Sequence, residues 1–128
     1  DDNFTENAYN QLIFEKLNSF FGTKELRLAP KVLLNLESYF EWPSLKSEHN
    51  SNASCYGLSS HIGILSNGTV VPCCLDAEGI INLGNLHHKS LKDILTSQRA
   101  TNIIEGFKKN LAVEELCKKC SYKDRFKR

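Results

Sequence analysis

The sequence predicts an α+β fold: a small antiparallel hairpin or sheet, packed by C-terminal helices around a four-cysteine metal site, with a helical N-terminal extension. Three observations carry this prediction. The pair Asn67-Gly68 lies between two apolar runs, as in a β-hairpin. Apolar residues recur at helical spacing over residues 90–107. The five cysteines of the 128-residue chain are confined to position 55, positions 73–74 and positions 117–120.

The N-terminal segment, residues 1–43, predicts a helix followed by a strand and a third element. Over residues 5–21 the apolar side chains recur with a helical period, Thr5 can cap the first turn, and Gly22 ends the helix. These apolar side chains are Tyr9, Leu12, Ile13, Leu17, Phe20 and Phe21. Residues 26–28 alternate as in a strand. Residues 32–40 return to helical spacing, although the run Val-Leu-Leu at 32–34 suits a strand equally well.

Residues 44–54 are small and polar and predict a loop, and residues 55–128 then form the cysteine-containing domain. His49 lies in this loop and could bind zinc, but we interpret it as a surface histidine. The adjacent His87 and His88 precede a predicted helix. We interpret them as exposed for the same reason.

The centre of the domain predicts a hairpin and a third strand. Residues 61–66 and 69–71 flank Asn67-Gly68, whose residues tolerate positive φ, and the hairpin directs Pro72-Cys73 toward the site. We expect the third strand over residues 80–83, entered through a turn at 76–79. Asp76 stands close to the thiol pair, and turn capping explains it about as well as a functional role does.

The C-terminal part predicts three helical segments. Ser90 is a natural N-cap, and Asp93 lies near the capping-box position. A second apolar face ends at Phe107, in a helix either continuous with the first or broken near Ser97. Residues 112–116 predict a short helical turn that leads into Cys117.

The cysteine spacing indicates a metal site without deciding the metal. Cys117 and Cys120 form a Cys-x2-Cys knuckle that can coordinate one metal atom. The other half is irregular, because Cys55 is remote and the adjacent Cys73 and Cys74 cannot easily bind the same ion. Zinc and an iron–sulfur cube both remain open on this spacing, with disulfides or ordinary buried thiols as a third interpretation. The odd cysteine count indicates a reducing compartment, for which the cytoplasm is the default.

These residues carry a resemblance to a known family. Cys55, Gly68 and Cys73, followed by Cys117-x2-Cys120, resemble the SPASM/twitch domain at the C-terminus of radical SAM enzymes. The runs 67–76, 83–86 and 90–95 fit the same pattern, so that the resemblance covers roughly residues 55–126.

The resemblance implies one auxiliary [4Fe-4S] cluster bound by Cys55, Cys73, Cys117 and Cys120. Family members with a second cluster have further cysteines after the knuckle, and this sequence has none after Cys120. Cys74 is expected to point the other way, into the core or beside the ligands without binding iron. Such a domain purified in air can lose iron and take up zinc.

The resemblance also implies what lies outside this sequence. The CxxxCxxC loop that binds the catalytic cluster and S-adenosylmethionine in these enzymes is not found here, so we expect a cluster domain without its catalytic domain. Residues 1–43 then correspond to the end of a catalytic barrel or the bridge from it. A chain that begins with Asp1 and contains no methionine is expected to be a piece of a longer protein.

The implied function is that of an auxiliary domain in a radical SAM oxidoreductase or maturase, serving electron transfer, substrate binding or both. The partners are the catalytic domain of the same parent chain and a substrate, often a peptide or protein in this family. By itself the chain is expected not to be catalytic, because neither a Ser/His/Asp arrangement nor a phosphate-binding loop is found. A structural four-cysteine zinc module is the main alternative.

Charge gives a second alternative. The net charge is only +1, but residues 108–128 hold eight Lys or Arg against three Asp or Glu. A nucleic-acid binder would use Lys123, Arg125, Lys127 and Arg128; we favour a solvated basic end that offsets the thiolates. Lys118 and Lys119 are expected to face solvent and to tune the cluster. Tyr122, Arg125 and Phe126 are expected to form a lid or simply to pack. No apolar run is long enough for a membrane span.

Overall fold

The structure, a computed structural model, describes Glu15, residues 25–35 and residues 39–126. The chain divides into two compact units, Asp1–Tyr39 and Phe40–Arg128. The helix predicted over residues 5–21 lies outside the described residues, apart from Glu15, which is helical.

The first unit contains a two-stranded antiparallel hairpin. Strand β1, Glu25–Ala29, pairs with strand β2, Val32–Asn35, with Leu26 opposite Leu34. The predicted strand at 26–28 is confirmed. The helical interpretation of residues 32–35 is wrong and the strand alternative is right, because a two-residue turn returns this β-favouring run directly onto β1.

The second unit is built on a three-stranded antiparallel sheet in the order β3-β4-β5. These strands are Gly63–Ile64, Thr69–Val71 and Gly84–Asn85. In the turn between β3 and β4, the Gly68 N–H donates to the Leu65 carbonyl over 2.8 Å, and the Leu65 N–H donates to the Thr69 carbonyl over 2.9 Å. Gly68 has a φ of 81°. The hairpin is therefore confirmed, with Gly68 as its left-handed residue.

The third strand is displaced from its predicted position. We expected it at residues 80–83, and it lies at Gly84–Asn85. The Asp76 carboxylate accepts hydrogen bonds from the Ile80 N–H over 2.8 Å and the Ile81 N–H over 2.7 Å, so these amides are bound to a side chain instead of a strand. Asp76, only 2% exposed, thus organises the turn, as its turn-capping interpretation predicted.

Within residues 40–126, four short helices complete the unit. They are α1 (Leu91–Leu95), α2 (Gln98–Lys108), α3 (Glu115–Lys118) and a 3-10 helix over Ser121–Phe126. The Ser90 hydroxyl caps α1 by accepting from the Asp93 N–H over 3.1 Å, as predicted. Ser97 caps α2, which decides that the two helices are broken there. The helix predicted at 112–116 begins only at Glu115 and includes Cys117.

The core of this unit joins β4 to the helices. Its buried members are Val70, Ile81, Leu83, Ile94, Ala100, Ile103, Phe107, Ala112 and Leu116. Cys55 and Cys117 are partly buried against this cluster. The core therefore supports two of the cysteines directly. Among the described residues, the helices lack the length and apolar composition that a membrane crossing requires.

Candidate metal centre

All five cysteines line one cavity of about 610 Å³ within the second unit. We call it the cysteine cavity. Its other walls are Phe40, Trp42, Tyr56, Ser60, His61, Leu75, Phe107, Tyr122, Lys123 and Phe126. The cysteines reach it from three separate segments, and all five are free thiols. The fold thus brings cysteines that are far apart in the sequence to the wall of one cavity.

Cys73 is positioned by the end of β4. Val71 and Pro72 are buried, and the chain turns immediately after them. The nearby backbone amides of Leu75 and Asp76 lower the pKa of the Cys73 thiol, but burial outweighs them. The pKa of Cys73 is raised to about 11, with Cys55 and Cys120 adding to the effect. Cys73 is a protonated thiol at neutral pH unless a metal ion stabilises its thiolate.

Cys55 is held beside Cys73 by the loop that follows it. The Leu58 N–H donates to the Pro72 carbonyl over 3.2 Å and to the His61 carbonyl over 2.9 Å. A Cβ at Gly57 would lie 3.2 Å from the Pro72 carbonyl oxygen, so only glycine allows this approach at no steric cost. The loop carrying Cys55 is therefore fastened to the turn carrying Cys73.

Cys117 and Cys120 form the knuckle, residues 117–120, at the end of α3. The nearby backbone amides of Lys123 and Tyr122 lower the pKa of the Cys120 thiol, yet burial raises it overall. Burial also raises the pKa of Cys117, and the neighbouring Cys73, Cys55 and Cys120 raise it further. These thiols are close enough to repel one another as thiolates, so a cation among them would offset the cost of deprotonation.

The thiols do not converge on one point. Among the described residues, no three His, Cys, Asp or Glu side chains are grouped closely enough to hold a single metal ion. The cysteines instead surround a cavity.

A sequence model of the SPASM family, described as an iron-sulfur cluster-binding domain, matches residues 55–121. This match covers slightly more than half of the chain and includes all five cysteines. The chain belongs to the SPASM family. The resemblance drawn from the cysteine pattern is thereby confirmed, and the chain carries an iron–sulfur cluster-binding domain. No curated protein and no solved structure matches it.

Cys74 does not lie in the core of this SPASM domain, which was one of its two predicted places. We expected it in the core or beside the ligands, and the structure exposes it to solvent at the edge of the cysteine cavity. The expectation assumed that the extended backbone continues past Cys73. Residues 74–75 form a turn instead, so the alternation of a strand no longer applies. The core assignment of Cys74 is wrong.

The histidines are arranged differently from the cysteines. His49 Nε2 lies 3.0 Å from Ser51 Oγ and 3.1 Å from an Asp124 carboxylate oxygen, and its side chain is 30% exposed. His87 and His88 are exposed, as predicted. His61, which we did not single out, lines the cysteine cavity. Its place depends on the fold of the 55–61 loop, for which the sequence carries no signal.

The lysines near the knuckle are less exposed than predicted. Lys118 and Lys119 are half-buried, and Lys119 Nζ donates to the Ser47 carbonyl over 2.7 Å. Lys123 is only 1% exposed and lines the cavity. The ammonium of Lys118 pairs with the exposed Glu115 at the surface, so the prediction that Lys118 and Lys119 face solvent is wrong only for Lys119. Because Lys123 is buried, it cannot contribute to a nucleic-acid-binding surface. Lys127 and Arg128 lie outside the described residues.

Aromatic side chains form much of the cavity wall. The ring centroids of Tyr122 and Phe40 lie 4.7 Å apart, and those of Tyr56 and Phe126 lie 5.0 Å apart, both edge to face. The Arg125 guanidinium lies 3.9 Å from the Tyr122 centroid. Tyr122 and Phe126 were expected near the site. Phe40, Trp42 and Tyr56 were missed, since ordinary apolar spacing does not distinguish a cavity wall from a core.

Proposed function

We propose that this chain binds one [4Fe-4S] cluster through Cys55, Cys73, Cys117 and Cys120, as the auxiliary cluster domain of a radical SAM enzyme. One observation carries the proposal: a single cavity is lined by cysteines from three distant segments of a SPASM-family chain. A bound cluster supplies one-electron transfer chemistry.

The choice of four ligands among five cysteines follows from their surroundings. Cys73 and Cys120 are partly buried beside backbone amides that lower their pKa values, and Cys55 and Cys117 pack against the core. Cys74 is exposed. Partly buried sulfurs are better fixed for binding than an exposed side chain in a turn.

The arrangement of the thiols supports a cluster over a single zinc ion. Four irons need one thiolate each and spread the ligands over a wider shell, whereas zinc draws four ligands to about 2.3 Å. Thiols that surround a cavity without converging suit the wider shell. The free thiols also suit a reducing compartment, and we place the protein in the cytoplasm.

The residues around the thiols protect and tune the centre. Aromatic side chains line the cavity, and the backbone amides near Cys73 and Cys120 favour negative charge on sulfur. In the parent enzyme we assign S-adenosylmethionine to a separate catalytic domain. A peptide or protein substrate would lie near this domain, which would exchange an electron with it, hold it, or do both.

The test is the iron and sulfide content of the full chain after reconstitution without oxygen, together with its visible spectrum. We expect about four irons and four sulfides per chain. The alanine variants of Cys55, Cys73, Cys117 and Cys120 should each lose the cluster, and Cys74→Ala, the matched control, should keep it. One zinc per chain that persists, with no iron taken up, would refute the proposal and indicate a structural zinc module.

A further inference from the structure

Lys123 is a lysine held inside the protein next to the knuckle. Its side chain is 1% exposed, and lysine is almost never fully buried unless its ammonium is bound. Lys123 Nζ donates to Ser51 Oγ over 2.9 Å, to the Lys118 carbonyl over 3.0 Å and to the Cys120 carbonyl over 2.9 Å. Two of these three acceptors belong to the knuckle, so the ammonium binds the backbone that carries the cysteines.

The third acceptor ties the knuckle to a distant segment. Ser51 belongs to the polar loop, residues 44–54, and its own N–H donates to the Lys118 carbonyl over 3.1 Å. The Ser51 hydroxyl donates to an Asp124 carboxylate oxygen over 2.7 Å. Ser51, Lys118 and Lys123 therefore form a closed set of hydrogen bonds between the loop and the knuckle.

We propose that Lys123 is a positioning residue of the metal centre. Its ammonium joins the knuckle to the polar loop through these hydrogen bonds, which we call the clasp, and so sets the positions of the Cys117 and Cys120 sulfurs. This inference rests on the proposed function. Lys123 does not bind the metal; it acts through the Lys118 and Cys120 carbonyls.

The position of the ammonium has a second consequence. It lies at the backbone of one proposed ligand, in a buried setting where charges are poorly screened. A positive charge there stabilises the more negative, reduced state of the centre. The clasp thus affects the reduction potential of the centre as well as its geometry. A lysine with only a structural role, elsewhere in the protein, would not change the potential.

The experiment compares the full chain with Lys123→Met, which removes the charge and the hydrogen bonds at similar length. Ser51→Ala removes one acceptor and leaves the charge. Lys92→Met is the matched control, because it removes an exposed lysine on α1. The first readout is amide hydrogen exchange over residues 117–123 in the reduced chain without added metal. The second and third, after reconstitution, are the rate of iron loss and the midpoint potential.

In Lys123→Met we expect exchange over residues 117–123 to quicken by about tenfold or more, as loss of hydrogen bonds to a charged group implies. Iron loss should quicken, and the midpoint potential should become more negative. Ser51→Ala, which also keeps the test valid if Lys123→Met does not fold, should quicken exchange with a smaller change in potential. Lys92→Met should match wild type.

Unchanged exchange in both Lys123→Met and Ser51→Ala would overturn the clasp. An unchanged potential in a folded, loaded Lys123→Met would do the same. If wild type takes up no iron, the proposed function fails, and the exchange measurement alone then decides whether Lys123 positions the knuckle.

Discussion

Replacing Asp76 with alanine should strongly destabilise the second unit. Asp76 is 2% exposed, and its two carboxylate oxygens accept the Ile80 and Ile81 N–H groups over 2.8 Å and 2.7 Å. The Asp76 N–H in turn donates to the Cys73 carbonyl over 3.3 Å. The carboxylate therefore shapes the chain between a proposed ligand and the third strand.

The size of the effect follows from the environment of the two amides. A hydrogen bond to a charged group contributes about 1.5–3 kcal/mol to the free energy of unfolding. The whole contribution is lost when the donor stays buried and has no other acceptor. The Ile81 bond is buried, whereas the Ile80 residue is exposed enough to regain water. We expect Asp76→Ala to lower the free energy of unfolding by about 3 kcal/mol, a large part of the roughly 5–15 kcal/mol typical of a domain.

The assay is urea unfolding of the reduced full chain, followed by circular dichroism. Asp76→Asn is the matched variant, because it keeps the shape of the side chain and one oxygen acceptor. Its decrease in the free energy of unfolding should be about half that of Asp76→Ala. A change within about 0.5 kcal/mol of wild type in Asp76→Ala, the range of ordinary surface substitutions, would refute the reasoning.

Two further predictions follow from the thiols and from α2. Because burial raises the pKa values of Cys73 (to about 11), Cys117 and Cys120, protons compete with metal for the thiolates. Apparent affinity for added metal should therefore keep rising above about pH 9, and a profile that levels off near the ordinary thiol pKa of 9.0 would contradict the raised pKa values. A Cβ at Gly106 would lie 2.7 Å from Val113 Cγ1 and 2.8 Å from the Leu111 carbonyl oxygen. Gly106→Ala should therefore destabilise the chain by about 1–3 kcal/mol in urea unfolding, even though alanine has the higher helix propensity. Thr101→Ala is the control, because Thr101 is exposed on the same helix, and it should not destabilise the chain.

Local chemistry explains the elements that were predicted correctly. The hairpin depends on the positive φ of Gly68, and the start of α1 depends on the bond between the Ser90 hydroxyl and the Asp93 N–H. Both involve residues that are close in the chain. The cysteine pattern likewise identified the SPASM family before any contact between the cysteines was known.

The misplaced elements depended on partners that local patterns do not reveal. The third strand was displaced because a side chain, Asp76, took two backbone donors. Cys74 became exposed because a turn replaced the extended backbone. Lys123 is buried because Ser51, distant in sequence, and the knuckle carbonyls supply its acceptors.

The sequence by itself determined the family, the hairpin, the Ser90 helix cap and the five candidate thiols, since residue type and spacing carry that information. Only the tertiary structure decided that these thiols line one cavity, that aromatic rings from distant segments wall it, and that a lysine from the basic end lies inside. The physical reason is that burial and hydrogen-bond partners are properties of the packed chain. They arise when residues far apart in sequence exclude water together.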